Sequence, residues 1–111
     1  MKYVLSLIIL IHGLIHFMGF MKAFGVGNIT QITKEIARPV GILWLMTSIL
    51  FIVGAIMYLL QKDYWPIVVF ISVVISQVLI IMVWHDAKFG TILNGLLLVI
   101  AIIGWSSQVF E

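Results

Sequence analysis

No cysteine occurs in the sequence. That excludes disulfides, thiolate metal sites and cysteine nucleophiles, and it leaves the redox compartment open. Charge is almost as scarce. Six Lys+Arg and four Asp+Glu make up 9% of the 111 residues, against 64% hydrophobic residues and a mean hydropathy of +1.29. A water-soluble domain carries roughly 25% charged residues, and so few charges cannot cover the surface of a domain this size. The apolar surface must then face lipid. The net charge is only +2, so the basic pI gives no ground for nucleic acid as a partner; the charges fall in the connections, where they meet headgroups or set topology. Period-two alternation of apolar and polar residues is absent, which excludes a transmembrane β-barrel. No phosphate-binding loop, dinucleotide glycine motif, nucleophile elbow or zincin signature is present. Ser106-Ser107 lacks a partner base, so soluble-type catalysis has no support. There are no internal repeats, and the length leaves room for one domain, 1–111.

What the sequence does have is four apolar runs: Tyr3–Met21, Pro39–Leu60, Trp65–Trp84 and Thr91–Trp105. A helix rises 1.5 Å per residue, so about 20 residues cross a hydrocarbon core of ~30 Å. Three runs meet that length directly; the fourth meets it by continuing through Ser106, Ser107 and Gln108. The expected fold is all-α, an integral membrane four-helix bundle running up-down-up-down, with spans near 3–21, 39–60, 65–84 and 91–108. Lys2 supplies a short basic flank like that of a cleaved signal. The first run, however, is too long for a signal core, carries two histidines and lacks a small-x-small exit, so a retained helix is expected.

The connections fit helical hairpins. Gln61–Tyr64 is a tight turn, and His85–Gly90 is another, with Gly90 as breaker and Thr91 placed to cap the fourth helix. Only Lys22–Arg38 is long. Gly25-Val26-Gly27-Asn28 breaks the first helix, and Asn28-Ile29-Thr30, although it has the form of a glycosylation sequon, reads as part of that break. Ile29, Ile32 and Ile36 then recur opposite Lys34, Glu35 and Arg38, which predicts a short amphipathic helix on the membrane surface between helices 1 and 2. Pro39 suits the first turn of the second span. With four crossings, the N-terminus, the second connection and the C-terminus share one side, here called side A. Tyr3, Tyr58, Tyr64, Trp65 and Trp105 fall near side A, and Phe24, Trp84 and Phe89 near side B, as two interfacial belts should. Side B holds Lys22, Lys34, Arg38 and Lys88 against Lys2 and Lys62 on side A, which places loops 22–38 and 85–90 in the cytoplasm.

Polar groups inside a span are expensive and therefore candidates for function. His12 and His16, at i and i+4, share one face of the first helix. Gly19 and Leu5 continue that stripe, while Gly13 and Ser6 beside it let a neighbour approach closely. At 1.5 Å per residue, His12 lies roughly 15 Å in from side B, His16 about 9 Å, Thr47 and Ser48 about 12 Å, Gln77 about 11 Å with Ser76 beside it, and Asn94 about 5 Å. His85 and Asp86 stand at the side-B end. Every helix thus contributes polar atoms to one half of the bundle, which points to a polar pocket opening to side B.

Three uses of that pocket stay open. His12, His16, Gln77, Asn94, His85 and Asp86 are the candidate contacts for a lipid-like or quinone-like ligand. His12, His16 and His85 are candidate ligands for a metal or a haem, because neutral imidazole binds metals readily and an i,i+4 pair can share one ion; Asp86 beside His85 could orient that imidazole. The third use is structural, with the two histidines bonding Gln77, Thr47 or Ser48 to hold the helices together. The methionines are scattered over the helices, as packing or lipid-facing residues are. Partners expected on this reading are membrane lipid and another membrane subunit or a second copy of the chain.

Three stretches carry a family resemblance: His16-Phe17-Met18-Gly19-Phe20-Met21-Lys22-Ala23-Phe24, Pro39-Val40-Gly41-Ile42-Leu43-Trp44, and Phe89-Gly90-Thr91-Ile92-Leu93-Asn94. With them the chain resembles the DoxX-like group of small four-helix bacterial membrane proteins over most of its length. The resemblance implies a bacterial inner-membrane location and association with quinone-linked or sulfur-redox systems. The His-Gly-x-x-His of the first helix and the Trp84–Asn94 stretch depart from the core of that group.

Overall fold

The computed structural model describes residues 2–110, with side chains up to Ser106; Ser107 and Gln108, the outer part of the fourth expected span, lie outside the residues whose side chains are described. The described residues form five helices, α1 (Lys2–Phe24), α2 (Arg38–Leu59), α3 (Trp65–Met82), α4 (Trp84–Ala87) and α5 (Gly90–Phe110), and no strand.

Local chemistry sets the helix ends. Gly25 takes φ +67; its N–H bonds back to Lys22 O at 3.4 Å, and that of Val26 to Met21 O at 2.9 Å, the paired closure that a left-handed residue after a helix allows. Pro39 stands in the first turn of α2 after an extended Ala37, where a missing N–H leaves nothing unpaired. At its other end Gln61, with φ +57, makes the same closure: Lys62 N–H to Met57 O at 2.8 Å and Gln61 N–H to Tyr58 O at 3.0 Å.

Side-chain register fixes how the helices run. Gly41 faces Ala23, Trp44 covers Gly19 and Phe51 meets Gly13, so α1 and α2 are antiparallel. Gly54 lies against Val69 and Tyr58 against Trp65, which makes α3 antiparallel to α2. Trp65 covers Gly104 and Ile80 covers Gly90, so α5 runs back along α3. A hydrogen bond from His12 to Asn94 joins α1 to α5. The molecule measures 46 × 23 × 22 Å.

Two apolar clusters fill the interior. Ile9, Phe51, Ala55, Val69, Val73 and Leu97 form one; Ile32, Ile36, Trp44, Leu79 and Val83 form the other, toward side B. Between them along the helices lies a polar layer of His12, His16, Thr47, Ser48, Ser76 and Asn94, all buried. The outside is apolar: Leu7, Ile11, Leu14, Ile49, Val53, Ile56, Val78, Ile81, Val99 and Ile103 are exposed. Only 33%, 39% and 44% of the most apolar stretches of α1, α2 and α3 are buried within the molecule, so most of their hydrophobicity is not used by the core. Polar atoms inside and apolar atoms outside invert the arrangement of a water-soluble protein. By length and composition α1, α2 and α3 can each cross a membrane, and α5 is apolar over the shorter stretch Gly90–Ser106.

Four expectations are corrected. No surface helix forms between α1 and α2: residues 25–37 are irregular, and Ile32 and Ile36 turn inward to 5% and 7% exposure against Trp44, Leu79 and Val83. The segment is β-branched at Ile29, Thr30, Ile32, Thr33 and Ile36, which weakens helix propensity, and its polar groups are taken by partners across the bundle. The third helix stops at Met82, because Val83 leaves helical geometry at φ −125, ψ 40, and a single helical turn, α4, occupies part of the expected 85–90 turn. Thr91 is inside α5 and not its cap; its hydroxyl accepts from Gln77 Nε2 at 3.0 Å. Trp65 is 8% exposed and packs over Gly104, so it serves the core and not the aromatic belt.

Candidate functional site

The site is built on the i,i+4 pair of α1. His12 and His16 are each 2% exposed, their ring centroids 4.7 Å apart. Phe51 lies 4.9 Å from the His12 ring and Trp44 5.3 Å from that of His16. Gly13 brings α2 this close: a β-carbon there would lie 2.7 Å from Phe51 Cβ.

Hydrogen-bond chemistry determines where the protons are. His16 Nδ1 is 2.8 Å from the His12 carbonyl oxygen, which can only accept, so Nδ1 carries the hydrogen and Nε2 is left as an acceptor. Nε2 takes the Ser76 hydroxyl at 2.6 Å. Ser76 Oγ, its one hydrogen used, accepts from Asn94 Nδ2 at 3.0 Å. The second amide hydrogen of Asn94 goes to Gln77 Oε1 at 3.1 Å, and Gln77 Nε2 donates to Thr91 Oγ1 at 3.0 Å. Asn94 Oδ1 is then the acceptor for His12 Nε2 at 2.8 Å. The wiring is complete with both imidazoles neutral, and it leaves one ring atom over. Nδ1 of His12 bears a lone pair, is buried and has no partner.

Beside these residues lies a cavity of about 280 Å³. His12, His16 and Trp44 form one wall, Ile80, Gly90 and Leu93 another, and Gln31, Ile32 and Asp86 its side-B end. The 25–37 segment is thereby part of the site. It is fastened by Asp86, whose Oδ2 accepts from the Thr33 backbone N–H at 2.9 Å and from the Thr33 hydroxyl at 2.9 Å. Lys34 Nζ adds a bond to Met82 O at 3.0 Å. The Thr33 backbone N–H, and after it the Thr33 hydroxyl, hold the Asp86 carboxyl below its ordinary pKa. A second cavity of about 270 Å³, between α3 and α5, is lined by Pro66, Ile67, Phe70, Ala101, Ile102 and Trp105, among which the Trp105 indole is the one side chain with a hydrogen-bonding atom.

Of the six candidate residues, the structure brings together His12, His16, Asn94 and Gln77 and sets Asp86 at the cavity's end. His85 is exposed and does not line the cavity, and Asp86 turns to Thr33 instead of orienting the His85 imidazole. Among the described residues no group of three His, Cys, Asp or Glu side chains is placed to hold a metal ion, so the pair His12–His16 has no third ligand of that kind. The bonding partners of the two histidines are Asn94 and Ser76; Thr47 turns its hydroxyl back to Leu43 O at 2.7 Å. Ser76, at the centre of the network, enters the sequence reading only as the neighbour of Gln77; its i,i+4 spacing from Ser72, also buried, is the signal that marks an inward face of α3. Trp44 and Gly90 gave no such signal, since an apolar wall is distinguished only by the space beside it. In comparisons with known proteins, no family model, no curated protein and no solved structure matches the chain.

Proposed function

We propose that the chain is a small integral membrane protein of the bacterial inner membrane in which α1, α2, α3 and α5 span up-down-up-down, and that it binds a lipid-like or quinone-like molecule in the histidine cavity as an accessory or ligand-binding subunit. The membrane part is supported by the inverted distribution of polar and apolar side chains. The inner-membrane location follows the resemblance to the DoxX-like group, and the excess of Lys22, Lys34, Arg38 and Lys88 at side B assigns that side to the cytoplasm. The observation that carries the binding reading is a largely apolar cavity with His12 in its wall, a buried histidine whose Nδ1 has no partner. Buried polar atoms are satisfied as a rule, and an exception calls for a missing partner.

Trp44 is 3% exposed and lines the same cavity, which makes it a reporter. Titrating the purified protein in phosphatidylcholine nanodiscs with a decyl-substituted benzoquinone and its hydroquinone should give a saturable fluorescence change with at least one of them. The change should be absent in Trp44→Phe and in the double variant His12→Leu, His16→Leu. A linear, non-saturating response to both compounds would reject the reading.

One observation favours a second reading. The network ties α1, α3 and α5 together, and in that role alone the histidines are structural. The double variant would then unfold, whereas a ligand site leaves a folded, non-binding protein.

A further inference from the structure

Resting on the binding reading above, we infer that the ligand of this cavity is a hydroxylic amphiphile whose O–H donates to His12 Nδ1, and not a compound that presents a carbonyl or bare hydrocarbon to that atom. The polarity of the missing partner is set one hydrogen at a time. The His12 carbonyl forces the proton of His16 onto Nδ1, so His16 Nε2 consumes the single hydrogen of Ser76. Ser76 Oγ can then only accept from Asn94. Turning the Asn94 amide over would set its oxygen against Ser76 Oγ with no hydrogen between them, so Nδ2 faces Ser76 and Oδ1 faces His12. His12 must donate from Nε2, and its Nδ1 is an acceptor. Among the described residues Ser6 Oγ is the other buried side-chain polar atom without a partner, but Ser6 does not line the cavity.

The surroundings set the rest of the ligand. Gly90 comes close to one edge of the His12 imidazole: a β-carbon on it would lie 3.8 Å from Cε1, the ring carbon next to Nδ1, and 2.8 Å from Ile80 Cδ1, so the apolar Ile80 side chain borders the same edge. Ile15, Met18, Ile80 and Leu93 complete an apolar lining. A group bearing one hydroxyl on an apolar body meets both demands. A carbonyl oxygen would set a lone pair against a lone pair, and a hydrocarbon would leave the nitrogen unpaired.

The test uses 4-butylphenol and its methyl ether, 4-butylanisole, which differ by the hydroxyl hydrogen and a methyl group. With the full-length protein in phosphatidylcholine nanodiscs, the phenol should bind at least about ten-fold more tightly by Trp44 fluorescence, as loss of one buried hydrogen bond implies. In His12→Gln, whose amide reaches toward Asn94 but sets no acceptor where Nδ1 lies, that preference should vanish. Should His12→Gln not fold, the wild-type protein labelled with ¹⁵N-histidine decides. The non-protonated nitrogen of His12 should shift on adding phenol and stay in place on adding ether. Equal affinity for the two probes, or no shift of that nitrogen with bound phenol, overturns the inference and leaves the binding cavity standing. Binding of neither probe overturns the inference together with the cavity reading.

Discussion

Asn94→Leu removes three hydrogen bonds at nearly constant volume: the acceptor for His12 Nε2 at 2.8 Å, the donor to Ser76 Oγ at 3.0 Å and the donor to Gln77 Oε1 at 3.1 Å. In membrane proteins an interhelical hydrogen bond contributes about 0.6 kcal/mol on average and roughly 1.7 kcal/mol at most. Three of them give an expected loss of about 2 kcal/mol, with an upper bound near 5 kcal/mol. The leucine fills most of the space left by the amide, so a cavity adds little. Reversible unfolding in mixed detergent–SDS micelles measures this directly, and a cycle with Ser76→Ala separates the shared bond. Because Ser76→Ala has already removed one of the three partners, the double variant should be more stable than the sum of the singles implies, by about the value of one bond. An Asn94→Leu protein within about 0.5 kcal/mol of wild type, or strict additivity in the cycle, would refute the claim that this network carries interhelical stability.

Gly13→Ala puts a β-carbon 2.7 Å from Phe51 Cβ and 3.2 Å from Ser48 O, so α1 and α2 must separate; the expected loss is about 1–3 kcal/mol, read as a lower melting temperature in detergent, and an unchanged melting temperature would contradict the close packing. The Asp86–Thr33 clasp should depend on pH. The folded pKa of Asp86 lies below its unfolded value, so the contribution is fully present above the ordinary carboxylate range, near pH 4, and is lost as pH falls through the depressed folded value. Protection of the Thr33 amide from hydrogen exchange, taken relative to its intrinsic rate at each pH, should therefore hold from neutrality down to about pH 4 and fall below it, while in Asp86→Ala it should be low throughout.

The helices were legible because their cause is local. A run of about 20 apolar residues needs no tertiary information to be recognised, and Gly25, Pro39 and Gln61 stop or start helices within one turn of themselves. The polar layer was legible for a similar reason: in a chain so poor in polar groups, His12, His16, Gln77 and Asn94 stand out, and helical rise puts them in one half of the bundle, although it sets His12 and Asn94 about 10 Å apart in depth where the structure bonds them at 2.8 Å. What failed depended on partners distant in sequence. Ile29, Ile32 and Ile36 have the spacing of a surface helix, but Asp86, fifty-three residues from Thr33, binds the segment in irregular form and lets Ile32 and Ile36 drop into the core. Trp65 sits where a belt residue should, yet Gly104, on a helix that returns only after α4, opens a place for it inside. Of the site, the donor and acceptor roles were out of reach of any sequence argument, since the tautomer of His12 follows from a chain of hydrogen bonds through three helices.

The central claim is that lipid surrounds these helices while imidazoles and amides face inward, and single cysteines test it against a cysteine-free background. Lys62→Cys, Lys88→Cys and Val74→Cys would be placed separately in the native chain and exposed to a membrane-impermeant maleimide in sealed inverted and right-side-out vesicles. Positions 62 and 88 should label from opposite sides, and Val74, 48% exposed on the outer face of α3, should stay unlabelled from either. Labelling of 62 and 88 from the same side, or ready labelling of position 74 in intact vesicles, would contradict it.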